Sequence, residues 1–269
     1  MSRPSITLTS DFGLQDGYVA SMKGVILRIC PDANLVDISH LIAPQNVRSA
    51  ALVLYCSYKY FPPGTIHLVV VDPGVGTERA PIAIRTGSFY FVGPDNGLFS
   101  LVLKCEPSFE TRKIENKEFQ IDPSSSTFHG RDIFAPAAAH IARGIRFDAL
   151  GPSCDPAIVE WGEPIIGEGE VQGEVIHTDR FGNAITNVLR EILERQGPVE
   201  KWTVNAGGTT INSIELTYGR VGPGKVLALT GSSGFIEIAI NRGDAESQLG
   251  LAQGTKVTFR LLNSARTSF

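Results

Sequence analysis

Apolar positions in the first part of the chain follow two alternating spacings. Ser5 to Ser10 reads as a strand, and from Asp16 to Ile29 the residues Val19, Met22, Val25, Ile26 and Ile29 recur at the period of a helix face. Pro31 ends that helix, Asn34 to Ser39 is strand-like again, and Val47 to Phe61 predicts a second helix closed by Pro62-Pro63-Gly64. Thr65 to Val71 is almost continuously apolar, as a strand buried on both faces of a parallel sheet must be. Strand, helix, strand, helix, strand is a βαβαβ unit, whose expected solution is a doubly wound, mostly parallel sheet with right-handed crossovers and flanking helices. Further strands are expected at Pro81 to Arg85 and Phe89 to Val92, and a last helix from Arg131 to Arg143 that Gly144 terminates.

From about Gly167 the texture changes to short alternating segments separated by Gly-rich turns. These are Gly173 to His177, Trp202 to Asn205, Val226 to Leu229, Phe235 to Ile240 and Lys256 to Leu261. Such a pattern predicts a small antiparallel barrel or sandwich. The Pro- and Gly-containing stretch from Gly151 to Gly169 is the expected linker, dividing an α/β N-terminal domain (1–160) from an all-β C-terminal domain (161–269).

Composition narrows the class. With 42% hydrophobic and 19% charged residues the chain can fill a core. A net charge of −4 argues against affinity built on neutralising phosphates, so no nucleic-acid partner is expected. No apolar run approaches the roughly 18 residues of a membrane helix, so no membrane partner is expected either. Met1-Ser-Arg-Pro-Ser5 runs directly into the first strand pattern without a signal peptide. The four cysteines, Cys30, Cys56, Cys105 and Cys154, are far apart with no Cys-x-x-Cys pair, which speaks for reduced thiols in the cytoplasm and against a zinc site.

In an open α/β sheet, ligands sit outside the carboxyl ends of the strands. The first predicted strand ends at Asp11, the second at His40 and the third at Asp72, so ionisable residues stand at all three ends. Asp11 is either a ligand-binding carboxylate or a turn residue bonded to its own backbone, and Asp16 either a ligand contact or a helix cap. His40 reads more simply as a hydrogen-bonded structural residue. Asp72 opens Asp72-Pro-Gly-Val-Gly-Thr-Glu-Arg79, a tight turn from which Arg79 could fold back onto the carboxylate. His129 lies just before a predicted helix N-terminus, where it is either a capping or core residue or, since the dipole favours a neutral ring, a group able to accept a proton. In the second region, Asp179-Arg-Phe-Gly-Asn183 is a loop that carries a large apolar residue, Phe181, which either plugs a core or stacks on a ligand. Alternation sets Phe235, Glu237 and Ala239 on one strand face, leaving Glu237 either in solvent or against the polar edge of a base. Two other likenesses fail. Gly219-x-x-x-x-Gly224-Lys225 lacks the Ser/Thr and the helix of a P-loop, and Asp11-Phe-Gly13 and His129-Gly-Arg-Asp132 stand in the wrong order for a kinase.

Taken in order, Ser10-Asp-Phe-Gly13 with Asp16, Asp72-Pro-Gly-Val-Gly-Thr77 with Arg79, Phe128-His-Gly-Arg-Asp-Ile-Phe-Ala-Pro136, Asp179-Arg-Phe-Gly-Asn183 and the Ser-x-Gly-Phe-Ile-Glu-Ile-Ala segment from Ser232 cover nearly the whole chain. They resemble the S-adenosylmethionine hydroxide adenosyltransferases, relatives of the fluorinating and chlorinating enzymes that use the same substrate. The resemblance implies a C-terminal β-barrel and a homotrimer, with active sites between the N-terminal domain of one subunit and the C-terminal domain of its neighbour. It implies that Asp72, Arg79 and His129 prepare water or hydroxide, that Asp11 holds the ribose hydroxyls and that Asp16 holds the methionine end. Asp179, Phe181, Asn183, Ser232, Phe235 and Glu237 would surround methionine and adenine, with S-adenosylmethionine as substrate and neither metal nor organic cofactor. The fluorinating enzymes resemble this chain but carry Tyr in place of Asp72 and of His129, and a long insertion after the Arg79 segment. Here Ile84 passes to Phe89 through a short turn, and a carboxylate at position 72 would repel halide, so hydrolysis is expected. Gly231-Ser-Ser-Gly234 departs from the Asn-Ser-aromatic-Gly of many relatives. A halide-using synthase, a non-catalytic nucleoside-binding protein and a metal hydrolase built on Asp11, His40, Asp72 and His129 are the competing readings.

Overall fold

A computed structural model describes residues 3–160 and 162–262. The chain divides into two compact units, Met1–Val159 and Glu160–Phe269. Trp161, inside the expected linker, lies outside the described residues, as do Met1 and Ser2 of the expected leaderless start.

The first unit is a six-stranded sheet in the order β2-β1-β3-β5-β4-β6. Strands β1 (Ser5–Ser10), β2 (Asn34–Ser39) and β3 (Ile66–Val70) are linked by helices α1 (Tyr18–Ile29) and α2 (Val47–Ser57). These three strands and β5 (Tyr90–Pro94) run parallel, whereas β4 (Pro81–Thr86) pairs antiparallel with β5 and with β6 (Phe109–Lys113). Alternation in β3 serves both sheet faces. Ile66, Leu68 and Val70 pack with Met22 and Ile26 of α1 and with Ala138 and Ile141 of α4 (Ala135–Ala142). Val69 and Val71 pack with Ala50 and Leu54 of α2 and with Val102 of α3 (Ser100–Leu103). Burial of every β3 residue is why its sequence is apolar without a break.

Several boundaries differ from expectation. Helix α1 starts at Tyr18 with Gly17 as its cap, so Asp16 is not a cap but an exposed residue of the preceding turn. Helix α2 stops at Ser57 and tightens into one 3₁₀ turn, Tyr58–Tyr60. The helix expected from Arg131 opens instead with a π-helical turn, Gly130–Phe134, before α4. Such turns widen the helix and frequently occur at functional sites.

The second unit is a nine-stranded sheet in the order β11-β10-β15-β8-β9-β14-β13-β12, with β7 (Ile165–Gly167) on β8 (Glu170–Thr178). The other strands are β9 (Ala184–Leu189), β10 (Trp202–Ala206), β11 (Thr209–Ile211), β12 (Ile214–Glu215), β13 (Val226–Thr230), β14 (Phe235–Ile240) and β15 (Lys256–Leu261). Short helices α5 (Arg190–Glu194) and α6 (Ala245–Leu249) join some of them. The ends of the sheet return toward one another, β11 near β13 and β10 near β12, so it is nearly closed and barrel-like. Its interior is filled by Val171, Val188, Trp202, Ile236, Ile238 and Phe259, all fully buried. Strand β14 is buried on both faces, and Glu237 with it, which overturns the reading of Glu237 as a solvent-facing residue.

Candidate active site

Between β1 and β3 the sheet order reverses: the chain steps from β1 outward to β2, then crosses back to β3 on the other side of β1. Loops leave the carboxyl ends of such neighbours in opposite directions and open a crevice. A cleft of about 390 Å³ lies there, walled by Asp11 after β1, Gln45 before α2, Asp72 after β3, and Phe128 and His129 before the π-helical turn.

Asp72 sits where the expected turn folds back. The Val75 N–H donates to the Asp72 carbonyl at 3.2 Å, and the Thr77 hydroxyl donates to the Gly74 carbonyl at 2.7 Å. This curl returns Arg79 to Asp72 as a two-pronged pair, Nε to Oδ1 at 2.9 Å and Nη2 to Oδ2, with both side chains more than nine-tenths buried. The guanidinium also packs over the ring of Phe134, 5.1 Å from its centroid. Arg79 Nη2 lies 2.8 Å from Nδ1 of His129, which is thereby joined to the pair.

That last contact constrains the imidazole. A guanidinium only donates, so Nδ1 of His129 accepts and the proton of the neutral ring sits on Nε2. Burial first, and the Arg79 charge second, pull the His129 pKa below the usual imidazole range, against smaller opposing effects of Asp72 and Asp132. The ring is therefore neutral as expected, but its nitrogen free of Arg79 is a donor. The carboxylates of Asp72 and Asp11 are the acceptors in the same cleft wall. The His129 loop is itself anchored by Asp132, fully buried, which accepts from Arg131 Nε at 2.6 Å and from the Ser125 N–H at 2.7 Å. Asp11 does not bond its own backbone: its Oδ2 accepts from the N–H of Gln45 at 2.8 Å.

A second cleft, about 760 Å³, lies in the C-terminal unit. Asp179 closes the loop that forms its rim, with Oδ1 accepting from the N–H groups of Phe181 and Asn183 at 2.8 and 2.9 Å and Oδ2 from Asn183 Nδ2 at 2.9 Å. This bracket holds Phe181 outward, 77% exposed. Deeper in the cleft the Tyr218 hydroxyl donates to Glu237 Oε2 at 3.3 Å. Burial, and then the negative charge of Asp179, push the Glu237 pKa up, and burial beside Glu237 pushes Tyr218 up to about 12.

Residues 6–151 match the SAM hydroxide adenosyltransferase N-terminal domain and residues 173–258 the C-terminal domain of the same family. The chain belongs to the SAM hydroxide adenosyltransferase family. It is 41% identical over 255 residues to the (R)-S-adenosyl-L-methionine hydrolase of Thermus thermophilus, a match that spans 92% of this chain and 96% of the relative. The fluorinase of Nocardia brasiliensis is 28% identical over 292 residues, covering 96% and 97%. The crystal structure of an uncharacterised conserved protein from Thermotoga maritima superposes with a TM-score of 0.89 at 38% identity, covering 95% of this chain and 99% of that one.

In this SAM hydroxide adenosyltransferase, then, Asp11, Asp72 and His129 wall one cleft with Arg79 behind them, while Asp179, Phe181, Asn183, Ser232 and Glu237 wall the other. Two expected site residues stand apart. Asp16 is exposed and Phe235 is buried in β14, and neither belongs to a cleft wall. The ring trio Phe12, Tyr18 and Phe128, with centroids 5.2 to 5.7 Å apart, and Tyr218 are wall residues that sequence reasoning missed. Phe12 and Phe128 lie inside the Ser10–Gly13 and Phe128–Pro136 motifs, whereas Tyr218 sits in a segment with no motif. Among the described residues no group of three or more His, Cys, Asp and Glu side chains is arranged to hold a metal ion, and no helix is long and apolar enough to cross a membrane.

The departure at Gly231 has a steric reason. The Glu237 carboxylate lies against the Cα of Gly231, where any Cβ would overlap it. Gly231→Ala is expected to displace that carboxylate and break its hydrogen bond from Tyr218, costing about 1 kcal/mol of stability in urea unfolding.

Proposed function

We propose that this chain hydrolyses S-adenosyl-L-methionine to adenosine and L-methionine. The observation that carries the reading is the Asp72–Arg79–His129 cluster on the wall of a cleft at the sheet's switch point. The relative named for (R)-S-adenosyl-L-methionine supports it, and extends it to the (R) sulfonium epimer as substrate.

In the mechanism we infer, a water oxygen accepts the His129 Nε2–H and directs one of its own hydrogens to Asp72. The oxygen attacks C5′ of the ribose in line with sulfur. A C5′–O bond forms, the C5′–S bond breaks with its electron pair passing to sulfur, and the water proton leaves through Asp72 to solvent. Methionine departs as a neutral thioether, so no acid is needed on that side, and the chemistry calls for neither metal nor organic cofactor. Alignment of nucleophile, carbon and sulfur, with exclusion of bulk water, supplies the acceleration.

Asp11 takes the ribose hydroxyls and Asp16, on its exposed turn, the methionine end. Asp179, Phe181, Asn183, Ser232, Phe235 and Glu237 of a neighbouring subunit surround adenine and methionine, which makes the active form a homotrimer of chains, each with an α/β domain to about residue 160 and a β-barrel domain beyond it. The protein acts in the cytoplasm on a small-molecule substrate and has no nucleic-acid or membrane partner.

The test is product analysis. The purified protein in oxygen-18 water, supplied with either epimer and with or without chloride, should release methionine and adenosine in equal amounts from the (R) epimer, with label in the 5′-hydroxyl. Formation of 5′-chloro-5′-deoxyadenosine would move it among the halide-using enzymes. Tight binding without methionine release would leave only a nucleoside-binding protein.

A further inference from the structure

We propose that His40, held by Asp37 and Lys23, is a positioning residue for the Asp11 carboxylate and so for recognition of the ribose hydroxyls, an inference that rests on the reading of Asp11 given above. Lys23 Nζ donates to Asp37 Oδ2 at 2.6 Å, Asp37 Oδ1 lies 3.0 Å from Nε2 of His40, and Nδ1 of His40 lies 2.7 Å from the Ser10 hydroxyl. A carboxylate only accepts, so Nε2 carries a proton, and Nδ1 is left to bond the Ser10 hydroxyl. The Ser10 oxygen also accepts from the Phe12 N–H at 3.4 Å. Every group in the row has a partner, and its outer end stays ionised. Burial works against the Asp37 charge, but the hydrogen bonds from Lys23 and His40 outweigh it and hold the carboxyl below its usual range.

Serine, histidine and aspartate in that order are the groups of a hydrolytic triad. Here the serine is fully buried and the histidine 3% exposed, so no substrate carbonyl reaches the hydroxyl. What the row controls is the loop on either side of Asp11. His40 grips Ser10, the residue before Asp11, through its ring. Its own carbonyl accepts from the N–H of Gly13 at 2.8 Å, where the backbone turns left-handed at φ +66°. Beyond His40 the same segment leads to Gln45, whose N–H donates to Asp11 Oδ2 at 2.8 Å from a left-handed φ of +64° that a non-glycine residue seldom adopts. One histidine thus holds both the strand end that carries Asp11 and the segment that fixes its carboxylate. Neither His40, Asp37 nor Lys23 is in the cleft wall, so their effect passes through Asp11.

The experiment compares calorimetric affinities for adenosine and 2′-deoxyadenosine in the full-length protein and its variants, with melting temperatures measured alongside. Asp11→Ala should reduce the preference for adenosine about tenfold or more. His40→Ala should reduce the same preference about fivefold, and should reduce it no further in the Asp11→Ala background. Asp37→Asn, at a partly exposed site, should give a smaller loss in the same direction, and it decides the matter where His40→Ala does not fold. With S-adenosylmethionine, KM should rise more than kcat falls. A merely structural role would lower the melting temperature and the active fraction while the folded remainder kept its preference, and that result would overturn the proposal. If Asp11→Ala itself leaves the preference intact, the reading of Asp11 falls, and the proposal with it.

Discussion

Asp72→Asn is expected to lower kcat by about a thousandfold, the loss typical of a general base, with KM changed severalfold at most. The amide keeps the size of the side chain and can still accept one Arg79 hydrogen bond, so the turn and the cleft persist while the proton acceptor is lost. His129→Ala should cost less, about a hundredfold, because it removes one donor to the attacking oxygen and leaves the acceptor in place. The pH profile separates these roles. Since burial and Arg79 lower the His129 pKa, the acid limb of the activity profile should lie below the ordinary imidazole range. Steady-state kinetics on both variants across that range is the measurement. A greater loss in His129→Ala than in Asp72→Asn, together with an acid limb at the ordinary imidazole pKa, would return the base role to the ring.

The second large effect is on stability and comes from a histidine remote from the chemistry. His67 is fully buried in β3, its ring stacked on Phe91 at 5.3 Å and edged by Tyr58, Phe61 and Phe89. Nδ1 lies 2.8 Å from the Thr7 hydroxyl, and Nε2 has no partner. Burial lowers its pKa from 6.5 to about 3. The sign follows from proton uptake: below pH 6.5 the unfolded chain binds a proton at this ring that the folded chain refuses. The stability contributed by the neutral ring is complete above pH 6.5 and is lost progressively as pH falls toward 3. At roughly 1.4 kcal/mol per pH unit, the loss is about 2 kcal/mol by pH 5 and on the order of 4 kcal/mol over the window. Urea unfolding of wild type and His67→Leu at pH 7.5 and pH 5 tests this. The variant should lose about 2 kcal/mol less between the two conditions, whatever its stability at the higher pH. Equal losses would mean that the ring is hydrated or paired in the folded protein.

The two clefts rest on different kinds of local structure, which explains why one was easier to foresee. The N-terminal cleft follows from strand order: once β1 and β3 are neighbours with a reversal between them, whatever follows each strand faces a common crevice. The C-terminal cleft is assembled from the Asp179 loop, the turn at Gly231 and the 3₁₀ turn at Tyr218, whose meeting depends on how the sheet curls.

Features set by neighbours along the chain could be read from the residues alone. Periods of helix and strand located β1, β2, β14 and β15 to the residue, because side chains a few positions apart must share a face whatever the remote partners are. The Asp72–Arg79 pair was legible for the same reason, its two members lying seven residues apart across a turn rich in glycine. Features that join remote residues came from the folded chain. It brought His129 to Arg79 across 50 positions, and the resulting hydrogen bond, which no local pattern encodes, set which ring nitrogen carries the proton. It buried Glu237 beside Tyr218, put His67 among aromatic rings and joined His40 to Ser10. Each of these depends on sheet order and closure, and the free energy that selects among such arrangements is spread over many distant apolar contacts rather than held in any short segment.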